Sequence, residues 1–421
     1  MLLIKNGRVL DPSSRTDAAL DVLIDGERIA KLGANLNAPD AEIFNAKGLI
    51  VGPGFIDLHC HLREPGQEVS ETIETGTRAA ARGGFTAVCC MPNTQPVNDR
   101  ASVTRGIMER AAAVGSTRVW PIGAASTGSK GEALAEIAAM KDAGIVAVSD
   151  DGKPIATARL MRQVMDYCRD LDLPVIDHCE DSSLAAGGVM REGARSIRLG
   201  LQGIPSQSES ICVGRDVEIG ALTGARLHVA HMSTMKSLEY VRAAKKSGLR
   251  VTCEVTPHHF TLTDEDVRYD TSYKMNPPLA SREDRDELVK GLADGSVDAI
   301  ATDHAPHQPA TKDVEFDRAP FGITGFETAF ALGLNELVHT GRMSLMRLVE
   351  LFTTGPGRVL GIERKLAPGE PADITIFSTD LAWTFRASES ASKSRNTPFD
   401  GRSFKGGPMA TIVAGRIVFR R

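Results

Sequence analysis

The feature that most constrains this chain is an alternation running from about Pro53 to about Leu360, in which short apolar runs are separated by longer helical patterns. Eight runs recur: FIDL, TAVCC, VWPIG, IVAVS, PVID, LHVA, VTCEV and DAIAT, each followed by a polar or glycine-containing loop. Between them stand stretches such as EALAEIAAMKDAG and SLEYVRAAKKSG, which read as helices. Repeated β-α units of this kind build a parallel sheet, and eight of them predict closure into a TIM-type (β/α)8 barrel. Such a barrel carries its chemistry at the C-terminal ends of the strands.

The two ends of the chain follow a different period. Val22, Leu23 and Ile24 precede Asp25-Gly26, a hairpin turn signal, and Ile29 and Leu32 follow it. At the other end ADITIF and TIVAGRIVF read as short strands, with Ala414-Gly415 as a turn. The expected architecture is therefore α/β. Residues 53–362 form the barrel, and residues 1–52 and 363–421 together form a small β-sandwich domain.

Composition narrows the function. A formal net charge of −5 without any basic block excludes nucleic acid as the main partner, because phosphate binding needs clustered Lys and Arg. No stretch approaches the ~20 apolar residues of a membrane span, and the N-terminus lacks a signal-peptide core. The seven cysteines show no paired CxxC framework and read as reduced thiols. The expectation is a cytoplasmic protein acting on a small molecule.

The histidines favour strand ends. His59 and His61 follow FIDL, His178 follows PVID, His231 follows LHVA, His258 and His259 follow VTCEV, and His304 and His307 follow DAIAT, with Asp303 just before them. Side chains two apart on an extended segment point the same way, so His59 and His61 can converge on one metal while Cys60 points away. With His178, His231 and Asp303 at other strand ends, the donors are imidazoles and carboxylates, which suit Zn²⁺. Two metals would need a bridge. The SDDG segment offers Asp150 and Asp151 for it, although Asp-Asp-Gly is also ordinary turn chemistry.

DLHCHLREPG at 57–66, MPNT at 91–94, SDDG at 149–152, DHCED at 177–181, HMS at 231–233, NPPL at 276–279 and TDHAPH at 302–307 resemble the bacterial dihydroorotases of the amidohydrolase superfamily. PFGITGFET and NTPFDG add to the likeness, which runs through almost the whole chain. The resemblance implies two Zn²⁺ per subunit, with His59, His61 and Asp303 on one and His178 and His231 on the other. It also implies an aspartate bridge at Asp151, with Asp150 the alternative. It makes Asn93, Asn276 and His307 substrate-binding residues alongside His61, and brings the backbone at Phe321 and Gly322 against the ring. A homodimer and an association with aspartate transcarbamoylase are further expectations from the family.

The substrate implied, dihydroorotate or N-carbamoyl-L-aspartate, carries a carboxylate, and Arg63 fits the need for a cation if the chain stays extended past His61. The alternative is an ion pair of Arg63 with Glu64 or Glu71. Zinc lowers the pKa of bound water towards neutrality, so a hydroxide between two metals can attack the ring amide, with Asp303 as general base and then general acid. The charged segment HQPATKDVEFDRAPFG after the eighth run reads as a mobile loop that orders over substrate. His258, His259 and the cysteines read as packing or supporting residues, and Lys153 as a loop residue. Two rival functions remain: a hydantoinase, dihydropyrimidinase or allantoinase, whose substrates lack the carboxylate, and a non-catalytic partner of aspartate transcarbamoylase.

Overall fold

In the computed structural model, which describes residues 1–421, the eight apolar runs form one parallel sheet. Its strands are β1 (Phe55–Cys60), β2 (Phe85–Cys90), β3 (Arg118–Ala124), β4 (Ala147–Ser149), β5 (Val175–Asp177), β6 (Leu227–Val229), β7 (Val251–Val255) and β8 (Ala299–Ile300). Neighbours pair in chain order, and a parallel bridge from Cys60 to His304 joins the first strand to the last. A second lock lies beneath it. The buried Asp57 carboxylate accepts the Thr302 amide at 2.8 Å and the Thr302 hydroxyl at 2.6 Å. β8 is shorter than DAIAT suggests, and just past that run Asp303 turns the backbone to φ 45°, out of the extended region.

Small side chains fill the barrel: Ala87, Cys89, Ala147, Ala299 and Ala301 pack against Ile56, Leu58 and Ile122. An eight-stranded barrel leaves room for little more. Larger apolar groups face outwards under the helices, where the Phe55 ring lies 4.6 Å from Phe330 and 5.4 Å from Phe352. Thr72, Thr157, Thr234 and Ser281 cap the helices Ile73–Arg82, Ala158–Asp170, Met235–Lys246 and Arg282–Asp294, each accepting an amide of the first turn that would otherwise lack a partner.

Two details depart from the sequence pattern. EALAEIAAMKDAG is helical only over Ile137–Ala143, because Leu134 bridges Ser126 and the Ala135 amide donates to the Ala125 carbonyl, so extended pairing claims the residues before it. Between β5 and β6 an unforeseen elaboration appears. A two-stranded sheet, Met190–Arg191 with Gly203–Ile204, flanks the helix Ala194–Leu199.

The chain ends build two sheets. One holds Leu2–Lys5, Asp21–Asp25, Arg28–Gly33 and Glu42–Asn45. The other orders Arg416–Arg420, Ser403–Val413, Ile374–Thr384, Ile50–Pro53, Arg8–Asp11 and Thr16–Ala19. Ile4, Val22, Ile24 and Phe44 from the first meet Val9, Val51, Ile374 and Ile412 from the second in a separate core, as in a β-sandwich. Ala414 and Gly415, at φ 47° and 75°, make the expected tight turn. The strands Ile374–Thr384 and Ser403–Val413 are longer than expected, at 11 residues each, and the segment joining them runs to the barrel mouth.

Candidate metal centre and substrate pocket

The strand-end histidines come together. The rings of His59 and His61 lie 5.4 Å apart, while Cys60 turns away and its thiol contacts the Cys89 carbonyl. Pairing of β1 with β2 is irregular between Asp57 and Cys60, a bulge of the kind found beside active sites. Asp151, just past β4, lies between two pairs of imidazoles. Its Oδ2 is 3.2 Å from His59 Nε2 and 3.5 Å from His61 Nε2, and its Oδ1 is 3.2 Å from His231 Nε2 and 3.7 Å from His178 Nδ1. Asp303 Oδ1 is 3.1 Å from His61 Nε2 and 3.6 Å from His59 Nε2. Asp150 faces elsewhere, accepting the amide and hydroxyl of Ser126. Lys153 reaches the Ser129 carbonyl, as befits a loop residue.

These groups fit metal ions. His59, His61 and Asp151 form one donor group and Asp151, His178 and His231 a second, with the ligand atoms of each within 4.8 Å of one another. His59 Nε2 is buried without a hydrogen bond, and His178 Nδ1 sits 3.0 Å from His231 Nε2, an approach that two imidazole nitrogens favour around a shared cation. Burial alone would raise the Asp151 carboxyl, but His59 beside it and a hydrogen bond to His231 hold it well below the usual range. Burial works against a charged His178, yet Glu180 and Asp151 push it up to about 9. A cation here competes with protons for the same nitrogens, so its affinity falls as pH drops.

Supporting partners hold the imidazoles. His59 Nδ1 lies 3.2 Å from Glu254 Oε1, and His228 Nε2 lies 3.1 Å from Glu254 Oε2. His61 Nδ1 lies 2.9 Å from Asn93 Oδ1, so Asn93 also orients that ring. Carboxylate and amide partners of this type fix tautomer and ring angle. Glu254 escaped the sequence reading; its only signal was a carboxylate inside the apolar run VTCEV. His258 and His259 stay out of the cluster. His259 Nε2 meets the Pro277 carbonyl at 2.9 Å, and the two rings pack 4.5 Å apart.

All of the sequence-predicted site residues except His59 line one cavity of about 340 Å³, and His59 is buried at its floor. Arg63 reaches the cavity by a different route from the one expected. The chain leaves the extended region and Arg63 sits at φ 62°, one of three non-glycine pocket residues at positive φ with His231 (31°) and Asp303 (45°). Such conformations cost energy and concentrate at functional sites. Arg63 pairs with neither expected glutamate: Glu64 binds Arg110, Glu71 binds His304, and Arg63 Nε donates to the Pro306 carbonyl at 3.1 Å. Burial pushes its guanidinium down only to about 10, so it stays cationic, and no carboxylate pairs with it.

The other wall is polar and fixed. His307 Nε2 lies 2.8 Å from the Phe321 carbonyl, which can only accept, so that nitrogen carries the proton. Burial and then Arg63 push His307 down to about 3, leaving it neutral. Asn276 Nδ2 donates to Glu180 at 2.9 Å, while its Oδ1 is buried without a partner. Gly322 sits at φ 127°, and a Cβ there would meet the Ala305 Cβ at 2.7 Å and His307 Nε2 at 3.1 Å.

The segment after His307 is better anchored than its composition suggests. Phe316 and Ala319 are buried, and Lys274 Nζ donates to the Phe316 and Asp317 carbonyls. Lys312 is buried too, donating to the Lys274 and Pro320 carbonyls. Burial and the neighbouring Lys274 push Lys312 down to about 7. An unfolded lysine titrates near 10.4. The unfolded chain therefore binds more protons between these values, and stability rises with pH across that window. Lys312→Met is expected to flatten this dependence by ~1 kcal/mol per pH unit, read by chemical denaturation across the window; an unchanged slope would show that Lys312 does not set it.

A family model described as Dihydro-orotase-like matches residues 48–237. A dihydroorotase from Solibacter usitatus is 56% identical, covering 100% of this chain and 98% of its own length, and one from Pelotomaculum thermopropionicum is 53% identical with the same coverage. Among solved structures, the L-hydantoinase (dihydropyrimidinase) of Arthrobacter aurescens matches with a TM-score of 0.90 at 25% identity, over 100% of this chain and 96% of that one. The dihydropyrimidinase of Brevibacillus agri, at 24% identity and a TM-score of 0.87 over 100% and 95%, shares the fold. No helix is long and apolar enough to cross a membrane. With relatives this similar along its whole length, the chain belongs to the dihydroorotase family.

Proposed function

We propose that this protein catalyses the reversible hydrolysis of the ring amide of (S)-dihydroorotate to N-carbamoyl-L-aspartate, the third step of de novo pyrimidine biosynthesis. One observation carries the reading: a buried Arg63 with no carboxylate partner faces the same cavity as two donor groups that share Asp151. The first supplies a partner for the substrate carboxylate, and the second a place for two metals beside the amide.

Two Zn²⁺ would be held by His59, His61, Asp151 and Asp303 on one side and by Asp151, His178 and His231 on the other, and would supply a water acidic enough to react at neutral pH and a Lewis acid for the carbonyl. Arg63 holds the substrate carboxylate, helped by Asn93. Asn276 offers its free Oδ1 to a ring N–H. Neutral His307 and the backbone of Phe321 and Gly322 form the wall against the ring. Asp303 contacts both imidazoles through Oδ1, which leaves Oδ2 to take a proton from the attacking water and deliver it to the departing ring nitrogen. In the synthetic direction the same oxygen takes a proton from the carbamoyl nitrogen.

Residues 53–362 form the catalytic barrel in this reading, with 1–52 and 363–421 as the sandwich domain. The family resemblance supports a cytoplasmic homodimer and an association with aspartate transcarbamoylase, which size-exclusion chromatography with and without that partner tests.

The decisive assay combines metal content with turnover of dihydroorotate, dihydrouracil and allantoin by purified protein, before and after chelation. Preference for either uncharged ring would favour a hydantoinase-type activity, and no turnover with intact metal content would favour a non-catalytic partner. Arg63→Met is expected to lower kcat/KM for dihydroorotate by about 10- to 100-fold, the worth of a hydrogen bond to a charged group. Any slow turnover of dihydrouracil should be untouched. An equal loss on both rings would remove Arg63 from carboxylate recognition.

A further inference from the structure

Between the strands Ile374–Thr384 and Ser403–Val413 the chain leaves the terminal sheet and crosses the barrel mouth. It is fastened there at two places. Ser392 donates its hydroxyl and Lys393 its amide to Glu71, which also meets His304 Nε2 at 3.3 Å, so the strap reaches the residue after Asp303 through one shared carboxylate. Ser394 adds a hydroxyl bond to the Ser70 carbonyl at 2.7 Å.

The second fastening is Asn396. Its Nδ2 donates to the carbonyls of Ala305 and Gly322, both at 3.0 Å, and its Oδ1 accepts the His307 amide at 3.1 Å. Its own carbonyl accepts the Thr324 amide at 2.8 Å. The side chain is buried, and both of its donor hydrogens and its acceptor are used. One amide thus joins two segments adjacent in space but not in sequence: the exit of β8, which carries His307, and the returning segment, which carries Phe321 and Gly322. Only a group with two donors and one acceptor can make this set; a carboxylate lacks the donors and a hydroxyl has one.

We propose that Asn396 is a positioning residue for substrate, setting the distance of His307 and the Phe321–Gly322 backbone from Arg63 across the cavity. This rests on the dihydroorotase reading for the identity of the substrate, but not for the clamp itself. Asn396 bonds to none of the metal-facing side chains: His59, His61, Asp151, His178 and His231 stand at other strand ends, and Asp303 lies two residues before Ala305, the first residue the clamp holds, so its loss should disturb binding before it disturbs the metal centre.

The test uses the zinc-loaded full chain with Asn396→Ala, Asn396→Asp, His307→Ala and the Asn396→Ala/His307→Ala pair. Metal per chain should be unchanged in all four. Amide exchange of His307 should rise by about tenfold or more in Asn396→Ala, as expected when a single hydrogen bond of this worth is lost. KM for dihydroorotate should rise by about tenfold or more, with kcat changing less, and the double variant should fall well short of the product of the two single effects, because part of the Asn396 effect acts through His307. Asn396→Asp, which keeps the acceptor for the His307 amide, should retain that amide's protection while sharing the KM defect, and it serves if the alanine variant does not fold. Independent, multiplicative effects of the two substitutions would overturn the proposal. So would a lowered kcat accompanied by metal loss at unchanged KM. If the wild-type protein turns over no dihydroorotate, the functional reading fails, and His307 amide exchange alone then decides for or against the clamp.

Discussion

Asp303→Asn is expected to lower turnover of dihydroorotate in both directions by about three to four orders of magnitude, the upper part of the range for loss of a positioned acid–base group. Asparagine is the informative choice because Asp303 sits at φ 45°, where an amide of similar shape tolerates the left-handed backbone better than alanine does. The fold should survive: the closing contacts of the barrel run through Asp57 to Thr302 and through the His304 backbone, not through the Asp303 carboxylate. Asp303→Ala should abolish turnover as well, with some added loss of stability from backbone strain. Circular dichroism and thermal melting check the fold, and progress curves in both directions check the rate. Activity within about tenfold of wild type would remove Asp303 from proton transfer.

Asp151→Ala should have the larger effect on metal. It is the residue common to both donor groups, so its removal leaves two pairs of imidazoles with no anionic oxygen between them. We expect both affinities to fall by more than the about 10- to 100-fold typical for loss of a supporting partner, with activity below detection. Elemental analysis after dialysis reads this directly. Asp150→Ala is the contrasting control. It should keep the metal and lose ~1.5–3 kcal/mol of stability, because the Ser126 amide and hydroxyl lose a buried charged acceptor. The opposite pattern, with metal lost from Asp150→Ala and retained in Asp151→Ala, would reverse the assignment of the bridge.

Much of this was legible in the chain because burial leaves a mark. Strands of a barrel are covered on both faces, so they read as largely apolar runs, and all eight are visible in the sequence. The HxH spacing announced the convergence of His59 and His61 because extended backbone alternates its side chains. What stayed hidden depended on distance or on special backbone. Glu254 acts on His59, 195 positions away in sequence, and nothing local marks the pair. Arg63 was found for its charge, but its left-handed backbone was not, since the expectation relied on a chain that stays extended. The helix before β4 starts late because pairing with the exit of β3 outcompetes helix propensity over Leu134 and Ala135. Asn396 opens NTPFDG, which the sequence marks only as part of the family likeness, and its clamp exists only once the terminal sheet delivers it to the barrel.

The second terminal sheet has a consequence for synthesis on the ribosome. Ile50–Pro53, made early, pairs with Ile374–Phe377, made near the end, and the Phe55 amide meets the Thr375 hydroxyl across 320 positions. A nascent chain that extends past His307 already carries every residue of the proposed metal centre, yet it still presents an open strand edge at Ile50–Pro53 and lacks the strap over its mouth. Open edges of this kind invite pairing with other chains. Premature termination between the barrel and Ile374–Thr384 should therefore yield aggregation-prone fragments instead of a smaller working enzyme, and it is the pairing of Ile374–Phe377 with Ile50–Pro53 that releases the chain from that hazard.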